Sequence, residues 1–264
     1  MKISRQLTRT KYIALLCIGL AINTACSKSD PTTEPVVEPL KEEESNTGLY
    51  NKLIAVRNFA ATDKNDGNNA AAPVYYSLET NKAMPETHRQ TRNWDISFSS
   101  IFNSAASGNN GTNNTNLGYG NNATGGILIV EKAFDEVTEV PADAEFKVIG
   151  DAIGMDQNGD EGNGVGWCLY DFFGILVKQH TSNRETEHVA YALGNGLTLL
   201  NGKVIKPRTL IVRTAKGNYA KIKPLSMYKD LLKPEQWFKS SPHVFISFDY
   251  VLVPKGSKTF EIKP

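Results

Sequence analysis

The sequence predicts a mostly β fold, a single all-β domain with short helical insertions that occupies residues 48–264. Short runs of β-branched and aromatic residues alternate with Gly, Asn and Asp, which is typical of strands joined by turns. Few segments space their apolar residues three and four apart, as an amphipathic helix requires. A stretch of this length is also an ordinary size for one all-β domain.

Strands are predicted in chain order at residues 74–78, 94–98, 126–130, 209–214, 219–222, 243–254 and 259–262. Ala215-Lys216-Gly217-Asn218 joins two of them as a tight hairpin, in which Gly217 supplies a positive φ. Gly, Asn and Ser crowd residues 104–125, so this segment is predicted to be a long loop.

Two segments have helical character. Residues 169–180 place apolar and aromatic side chains at spacings of three and four, a pattern that fits one helix face but is interrupted by Gly174. Residues 228–238 are expected to hold a helical turn before Pro234.

The first residues predict export and anchoring. A basic segment over residues 2–11 precedes an apolar stretch over residues 12–22, which suits a signal peptide and is too short to span a membrane. Thr24 and Ala25 precede Cys26 as in a lipobox, although Asn23 stands where an aliphatic residue is usual. Residues 1–25 are therefore predicted as a signal peptide and Cys26 as the lipidated residue. The alternative is a soluble secreted protein cleaved near Ala25.

Residues 26–47 are rich in Pro, Glu and Thr, which predicts an extended, solvated tether between a lipid anchor and the domain. The short polar segment after Cys26 also resembles surface-export signals of some outer-membrane lipoproteins. The expected location is the outer membrane, with the lipid-anchored protein at the cell surface or on the periplasmic face.

Charge and cysteine usage exclude some classes. The predicted signal peptide carries four of the 29 basic residues and none of the 28 acidic ones, which leaves the mature chain near −3. No basic patch stands out, so nucleic acid is not an expected partner. Cys168 would be the one thiol besides Cys26 in the mature chain. Its apolar neighbours favour a buried residue over a reactive thiol.

No catalytic or metal-binding motif was found in the sequence, and an enzyme is not predicted. The four histidines are scattered, and nucleophile-elbow, P-loop and Rossmann patterns do not occur. Residues 156–162 offer oxygens at alternate positions, as calcium loops do. However, Glu161 stands where such a loop needs Gly, and Trp167 stands where it needs a bidentate Glu. Calcium binding is therefore not predicted, and polar turns are the simpler interpretation.

Three blocks of sequence together resemble the HmuY-like family of haem-binding bacterial outer-membrane lipoproteins. The first block is YYSLE at 75–79 with WDISF at 94–98, and the second joins Gly125-Gly126 to FDEV at 134–137 and VPAD at 140–143. The third is RTLIVRTAKGNYAKIKPLSMY at 208–228. The blocks occur in the family's order and span most of the predicted domain.

The resemblance implies an all-β fold, haem as the ligand and an outer-membrane haem receptor as the partner. Family members ligate the iron with two histidines or two methionines from loops ahead of the last hairpin. In this chain Met155 falls in the region of the first ligand, while residues 191–197, in the region of the second, contain neither His nor Met. His180 and His188 lie between the two regions, so Met155, His180 and His188 are the candidate iron ligands.

The missing second ligand keeps another hypothesis open. The same scaffold would serve as a surface binding module for a peptide, a glycan or a receptor partner, because a fold does not determine a function. An extracellular hydrolase is a third hypothesis, which no sequence motif supports. The sequence does not indicate an oligomeric state.

Overall fold

In the computed structural model, which describes residues 40–60 and 71–263, strands dominate and the helical segments are six short 3-10 turns. The strands are β1 (Leu53–Ala60), β2 (Ala71–Ser77), β3 (Lys82–Met84), β4 (Ile96–Ser100), β5 (Ala105–Gly108), β6 (Gly126–Val130), β7 (Cys168–Asp171), β8 (Val189–Ala192), β9 (Leu197–Thr198), β10 (Val204–Ile205), β11 (Thr209–Arg213), β12 (Tyr219–Tyr228) and β13 (His243–Val253). The turns are Thr47–Leu49, Glu86–His88, Ile101–Asn103, Phe134–Glu136, Asp143–Glu145 and Pro234–Gln236. The predicted mostly β fold is confirmed. The predicted signal peptide, Cys26 and most of the predicted tether lie outside the described residues.

The strands of the described chain form two larger antiparallel sheets and two small ones. The five-stranded sheet has the order β1-β13-β12-β11-β6, and the four-stranded sheet has the order β3-β2-β4-β5. β7 pairs with β8, and β9 pairs with β10. No helix in this part of the chain is long and apolar enough to cross a membrane.

The long strand β13 contributes to a hydrophobic core on each of its faces. Every second side chain of β13, including Ile246 and Phe248, belongs to the main core. Residues of the four-stranded sheet belong to the same core. The rings of Phe248 and Tyr76 in β2 meet edge-on with their centroids 5.5 Å apart. On the other face, Val251 and Val253 pack in a second core with residues from the 134–146 segment. Because successive side chains of a strand point to opposite faces, one apolar strand serves both cores.

The structure explains why glycine occupies two positions of the sequence blocks. Gly217 adopts φ +93° in the hairpin that joins β11 to β12, as predicted. Gly126 at the start of β6 lies against Gly108 at the end of β5, where a Cβ on Gly108 would stand 2.6 Å from the Gly126 backbone. A side chain at Gly108 would therefore push the two larger sheets apart, whereas one at Gly126 would meet Phe146 and the backbone of Lys147.

The strands β1, β3, β8, β9 and β10 were not predicted, and β12 continues beyond the predicted residue 222 to Tyr228. Two further differences concern a predicted loop and the last predicted strand. The segment 104–125 is not entirely loop, because Ala105–Gly108 is β5 and pairs with β4. The small residues of β5 allow its close approach to β6. They lack the β-branched and aromatic side chains from which a strand is predicted. At the C-terminal end, Thr259 makes only an isolated bridge to Glu139 instead of beginning a strand.

The helical interpretation of the ambiguous residues 169–180 is wrong. Its first part belongs to β7, and the carboxylate of Asp171 then accepts the backbone N–H groups of Ile175, Leu176 and Val177 at 3.0, 2.9 and 3.2 Å. These amides are therefore bonded to a side chain instead of to helical carbonyls. Gly174 adopts φ +68°, which an α-helix excludes. The helical turn expected before Pro234 occurs later, as the 3-10 turn Pro234–Gln236.

The last residues of the predicted tether are hydrogen-bonded to the domain. The Nδ2 of Asn93 donates to the carbonyl of Lys41 at 2.9 Å, and its Oδ1 accepts the N–H of Glu43 at 2.7 Å. The N–H of Asn46 donates to the carbonyl of Glu79 at 2.9 Å. The chain is thus fixed to the domain several residues before β1 begins.

Two buried carboxylates, Glu79 and Asp95, connect the larger sheets. Asp95 accepts the N–H of Ala215 at 3.0 Å and the N–H of Glu79 at 3.1 Å. Both carboxylates are about 1% exposed. Glu79 accepts hydrogen bonds from Thr214 Oγ1 at 2.5 Å and Asn218 Nδ2 at 2.7 Å. We call Glu79, Asp95 and the 214–218 turn the carboxylate network.

The network also includes charge. Lys216 Nζ lies 3.3 Å from Glu79 Oε2, and the hydroxyl of Ser45 donates to the same carboxylate. Burial, and then the negative charge of Glu79, raise the pKa of Asp95 to about 7. The folded protein therefore holds a proton on Asp95 over a pH range in which the unfolded chain has released it.

We predict that the network makes the free energy of unfolding depend on pH. An unfolded Asp titrates near pH 4. Since the folded pKa is raised, the wild type should lose stability relative to Asp95→Asn as the pH rises from about 4 to about 7, with no further change above that. The variant should be less stable in absolute terms, because its amide cannot accept both backbone N–H groups.

Urea unfolding at a series of pH values measures this difference. Groups that do not interact with Asp95 cancel because they titrate alike in both proteins, so the measured difference belongs to Asp95 and its neighbour Glu79. A difference in free energy of unfolding that stays constant from about pH 4 to about pH 8 would contradict the raised pKa of Asp95.

Candidate functional site

A cavity of about 620 Å³ opens between the turn after β4, the segment around Met155 and the end of β7. This volume lies within the range of about 300–1,000 Å³ typical of small-molecule sites. Its wall consists of Ser100, Ile101, Ser104, Ala105, Asp151, Ala152, Gly154, Met155, Glu161, Asn163, Tyr170 and Phe172. The wall therefore combines a thioether, two aromatic rings, hydroxyl groups and two carboxylates.

The turn between β4 and β5 forms one side of the cavity and has an unusual backbone. Ser100, Phe102 and Asn103 adopt φ values of +68°, +53° and +50°. Such values are rare for residues other than Gly, and they persist only where the surroundings enforce them. The buried Nδ2 of Asn103 donates to the carbonyls of Ala72 and Phe98, each at 3.0 Å, and so fixes the turn.

The segment around Met155 is fixed by a buried ion pair. The neighbouring Asp156 accepts a hydrogen bond from Arg208 Nη2 at 2.9 Å, and both side chains are almost fully buried. Asp156 also accepts the N–H of Asn158 at 3.0 Å and that of Gly166 at 3.1 Å. The Asp156 oxygens thus accept hydrogen bonds from backbone N–H groups and from Arg208. They belong to residues 156–162, the segment whose spacing of oxygens resembles that of a calcium loop. In the described residues no group of three His, Cys, Asp or Glu side chains is arranged to hold a metal.

Tyr170 and Phe172 form the aromatic side of the cavity. The ring of Tyr170 lies 5.5 Å from Phe102 and 6.1 Å from Phe172, measured between centroids. The Tyr170 hydroxyl is hydrogen-bonded to Nδ1 of His188 at 2.8 Å. The ring of His188 meets Phe172 edge-on at 4.5 Å. A phenol, an imidazole and two phenyl rings are thereby packed together beside the cavity.

The three predicted iron ligands are not brought together. As far as the described chain defines it, the cavity wall includes Met155 and neither of the two histidines. His188 lies behind the aromatic side, in contact with Tyr170 and Phe172. His180 is 45% exposed and has Nε2 3.2 Å from the carboxylate of Glu187.

Burial and nearby charges set the protonation states of this region. Burial, followed by the charges of Glu161 and Asp160, raises the pKa of Tyr170 to about 12. Burial, and then Lys239, lower the pKa of His188. The phenol is therefore protonated and the imidazole neutral at neutral pH. Cys168 is fully buried, as its neighbours predicted, and burial raises the pKa of its thiol.

Sequence patterns missed the aromatic side of the cavity. Tyr170 and Phe172 lie in the segment whose apolar spacing suggested a helix. Their common neighbour His188 lies outside that segment, and no sequence pattern indicates the contact. The alternation that marks a half-buried strand was also absent, because all four residues of β7 are buried.

An all-β domain with a cavity of this size and lining has the features of a small-molecule binding protein. The family model described as HmuY protein matches residues 69–239, more than half of the 264-residue chain. The chain therefore belongs to the HmuY family, a family of binding proteins, as its three sequence blocks predicted. Among curated proteins, none matches the chain. The matched range includes the whole cavity wall and all three predicted ligands.

We predict that Asn103 controls the stability of the turn that borders the cavity. Asn103→Gly keeps a residue suited to φ +50° but removes the donor to the carbonyl of Ala72 and to the buried carbonyl of Phe98, which should cost about 1–3 kcal/mol. Asn103→Ala should cost about 1 kcal/mol more, because a Cβ disfavours the left-handed region. Urea unfolding of the three proteins measures both differences. A variant with Ala at least as stable as the one with Gly would show that the backbone conformation is not the constraint.

Proposed function

We propose that this protein is a membrane-anchored lipoprotein outside the cytoplasm that captures haem or another porphyrin and hands it to an outer-membrane transporter. Membership of the HmuY family supports the ligand class. The predicted signal peptide, Cys26 and the tether support the anchor and the outer-membrane location. The receptor as partner follows from the resemblance.

The observation that carries the proposal is the cavity beside Met155. The family resemblance pointed to residues 155–166 for the first iron ligand. Met155, Glu161 and Asn163 from that range line a cavity together with Tyr170 and Phe172. Aromatic rings offer flat apolar surface to a porphyrin, and a thioether is a known ligand of haem iron. Among the three predicted ligands, Met155 has direct access to this space.

Binding, and not catalysis, is the role that this wall supports. Its carboxylates, Asp151 and Glu161, are exposed, and no histidine stands among the described residues of the wall to act with a hydroxyl. An acid–base or nucleophilic site needs such groups within hydrogen-bond reach of each other.

A second candidate is a binding module for a non-haem ligand, such as a peptide, a glycan or a receptor partner. One observation favours it: the described wall contains two carboxylates and no Lys or Arg. A ligand with positive charge or many hydroxyl groups would suit these carboxylates better than the propionates of haem do, unless the propionates point out into the solvent.

We predict that haemin binds in the cavity. Titration of the purified protein with haemin should shift the Soret band at micromolar concentrations. Ala152→Trp places a large ring in the cavity wall and should abolish the shift. The matched control is Ala144→Trp, at an exposed position outside the wall, which should bind as the wild type does. Absence of a shift in the wild type would contradict haem binding. Equal binding by both variants would place the site elsewhere.

We predict that Cys26 holds the protein at the membrane. After expression of the full chain in a bacterium with lipoprotein export, the wild type should fractionate with membranes. Cys26→Ala should appear in the soluble exported fraction, because it has no thiol for acylation. The expression level and the folded domain should not change. If Cys26→Ala still fractionated with membranes, another part of the chain would be the anchor.

A further inference from the structure

We propose that a second copy of this chain covers the loop after β7 and the β9–β10 hairpin, so that the protein associates as a symmetric dimer. This inference goes beyond the proposed function and does not depend on haem. The covered surface consists of Phe172, Phe173 and Ile175 from the loop after β7, with Leu200 and Val204 from the hairpin. We call these five side chains the apolar surface.

The apolar surface leaves large hydrophobic side chains in contact with water. Its members are 37–68% exposed, and they are five of the eleven large hydrophobic side chains that are exposed in the described chain. The other six come from separate positions along the chain. Single exposed apolar side chains are ordinary at a protein surface, whereas a contiguous group of them marks an interaction site.

The two parts of the apolar surface are joined and already ordered. The rings of Phe172 and Phe173 meet edge-on with their centroids 4.8 Å apart. The N–H of Leu200 donates to the carbonyl of Leu176 at 2.9 Å, which ties the hairpin to the loop after β7. The carboxylate of Asp171 binds the backbone of the same loop. A surface that is ordered before it is covered loses little conformational entropy on binding.

The end of the apolar surface at Phe172 carries carboxylates. The N–H of Phe172 donates to the carboxylate of Asp160 at 2.9 Å. The exposed side chain of Glu161 lines the cavity together with Phe172. In the neighbouring turn, Arg184 is paired with Glu187 at 2.7 Å, so this pair adds no net charge.

The end of the apolar surface at Val204 is basic. Lys203 and Lys206 are exposed on either side of β10. Because Ile205 is buried, its neighbours Val204 and Lys206 point outward on the same face of the strand. Residues 188–229 contain no Asp or Glu. Within the described chain, neither lysine forms an ion pair.

A second copy complements both ends of the apolar surface. In a contact with two-fold symmetry, the same patch of both copies takes part, and each end of one patch faces the opposite end of the other. The two lysines of one copy then lie beside the carboxylates of the other, twice, and the apolar side chains are buried between them. A lipid surface has one sign of charge and would complement only one of the two ends.

The association would also change the cavity. Phe172 belongs to the cavity wall as well as to the apolar surface, so the second copy would lie at the edge of the cavity. Its Lys203 and Lys206 would come close to Glu161, and the described wall of a single copy contains no Lys or Arg. Dimerisation would therefore supply basic groups to a cavity that has none of its own in the described residues.

Sedimentation velocity of the Cys26→Ala protein, which has no thiol for lipidation, measures the association without haemin. We expect a dimer with a dissociation constant in the micromolar range, because five apolar side chains with a charged rim make a smaller contact than a standard interface. Phe173→Ser should raise this constant by about tenfold or more. The matched control is Tyr119→Ser, which removes an exposed aromatic ring outside the apolar surface and should dimerise as the parent does. A parent protein that stays monomeric up to about 100 μM would overturn the inference, as would equal association of the two variants.

Exchange of the charges tests the two-fold pairing itself. Glu161→Lys in one protein, and Lys203→Glu with Lys206→Glu in another, should each weaken the homodimer by about tenfold or more, because like charges then face each other. A mixture of the two proteins should form a heterodimer with nearly the parent's affinity, since both ends are again complementary. A single chain with all three substitutions should also recover the homodimer.

Two results would overturn the charge pairing and its occupant. One is a mixture that associates no better than either protein alone. The other is a monomeric parent that co-sediments with phosphatidylglycerol vesicles through Phe173, which would assign the apolar surface to lipid. Haemin takes no part in these measurements, so their failure and the failure of the proposed function are separate outcomes.

Discussion

The carboxylate network of Glu79 and Asp95 is the interaction on which the arrangement of the two larger sheets depends. Glu79 lies between β2 and β3, and Asp95 lies directly before β4, so both belong to the segment that forms the four-stranded sheet. Their partners lie in the turn between β11 and β12 and are Thr214, Ala215 and Asn218. These are residues of the first and third sequence blocks. The second block reaches the same hairpin from its other face, where Lys221 Nζ donates to the carbonyls of Phe134 and Val137 at 2.8 and 2.9 Å. The three blocks that identified the family thus meet at one hairpin.

Strand β4 connects this network to the cavity. Asp95 directly precedes β4, and Ser100 at its other end begins the strained turn on the cavity wall. A turn in which three of four consecutive residues have a positive φ would relax if the strand before it could shift. The buried hydrogen bonds of Asp95 at one end and of Asn103 at the other prevent this shift. The same constraint that joins the sheets therefore maintains one side of the cavity.

Local chemistry made part of this structure predictable. The 215–218 hairpin was predicted because a tight turn needs a residue such as Gly217, and strands β6 and β11 were predicted because their β-branched runs are bounded by turn residues. The cavity was not predictable in the same way, since its wall comes from segments about fifty residues apart whose proximity depends on sheet pairing. The helix predicted at 169–180 failed because Asp171 competes for the backbone amides, which apolar spacing does not reveal. Met155 was identified through the family resemblance. The hydrogen bond between Tyr170 and His188 could be recognised only in the folded structure.

Each side of the cavity is anchored separately, and this bears on how a ligand would leave. Asn103 fixes the turn after β4, the Arg208–Asp156 pair fixes the segment of Met155, and Asp171 fixes the chain beyond Tyr170. Opening the wall would break these hydrogen bonds together, and each polar group left buried without a partner would cost about 1–3 kcal/mol. Release by opening of the domain is therefore disfavoured. Under the proposed function, hand-off would instead depend on competition for the ligand, in which another molecule replaces the contacts of the wall one at a time.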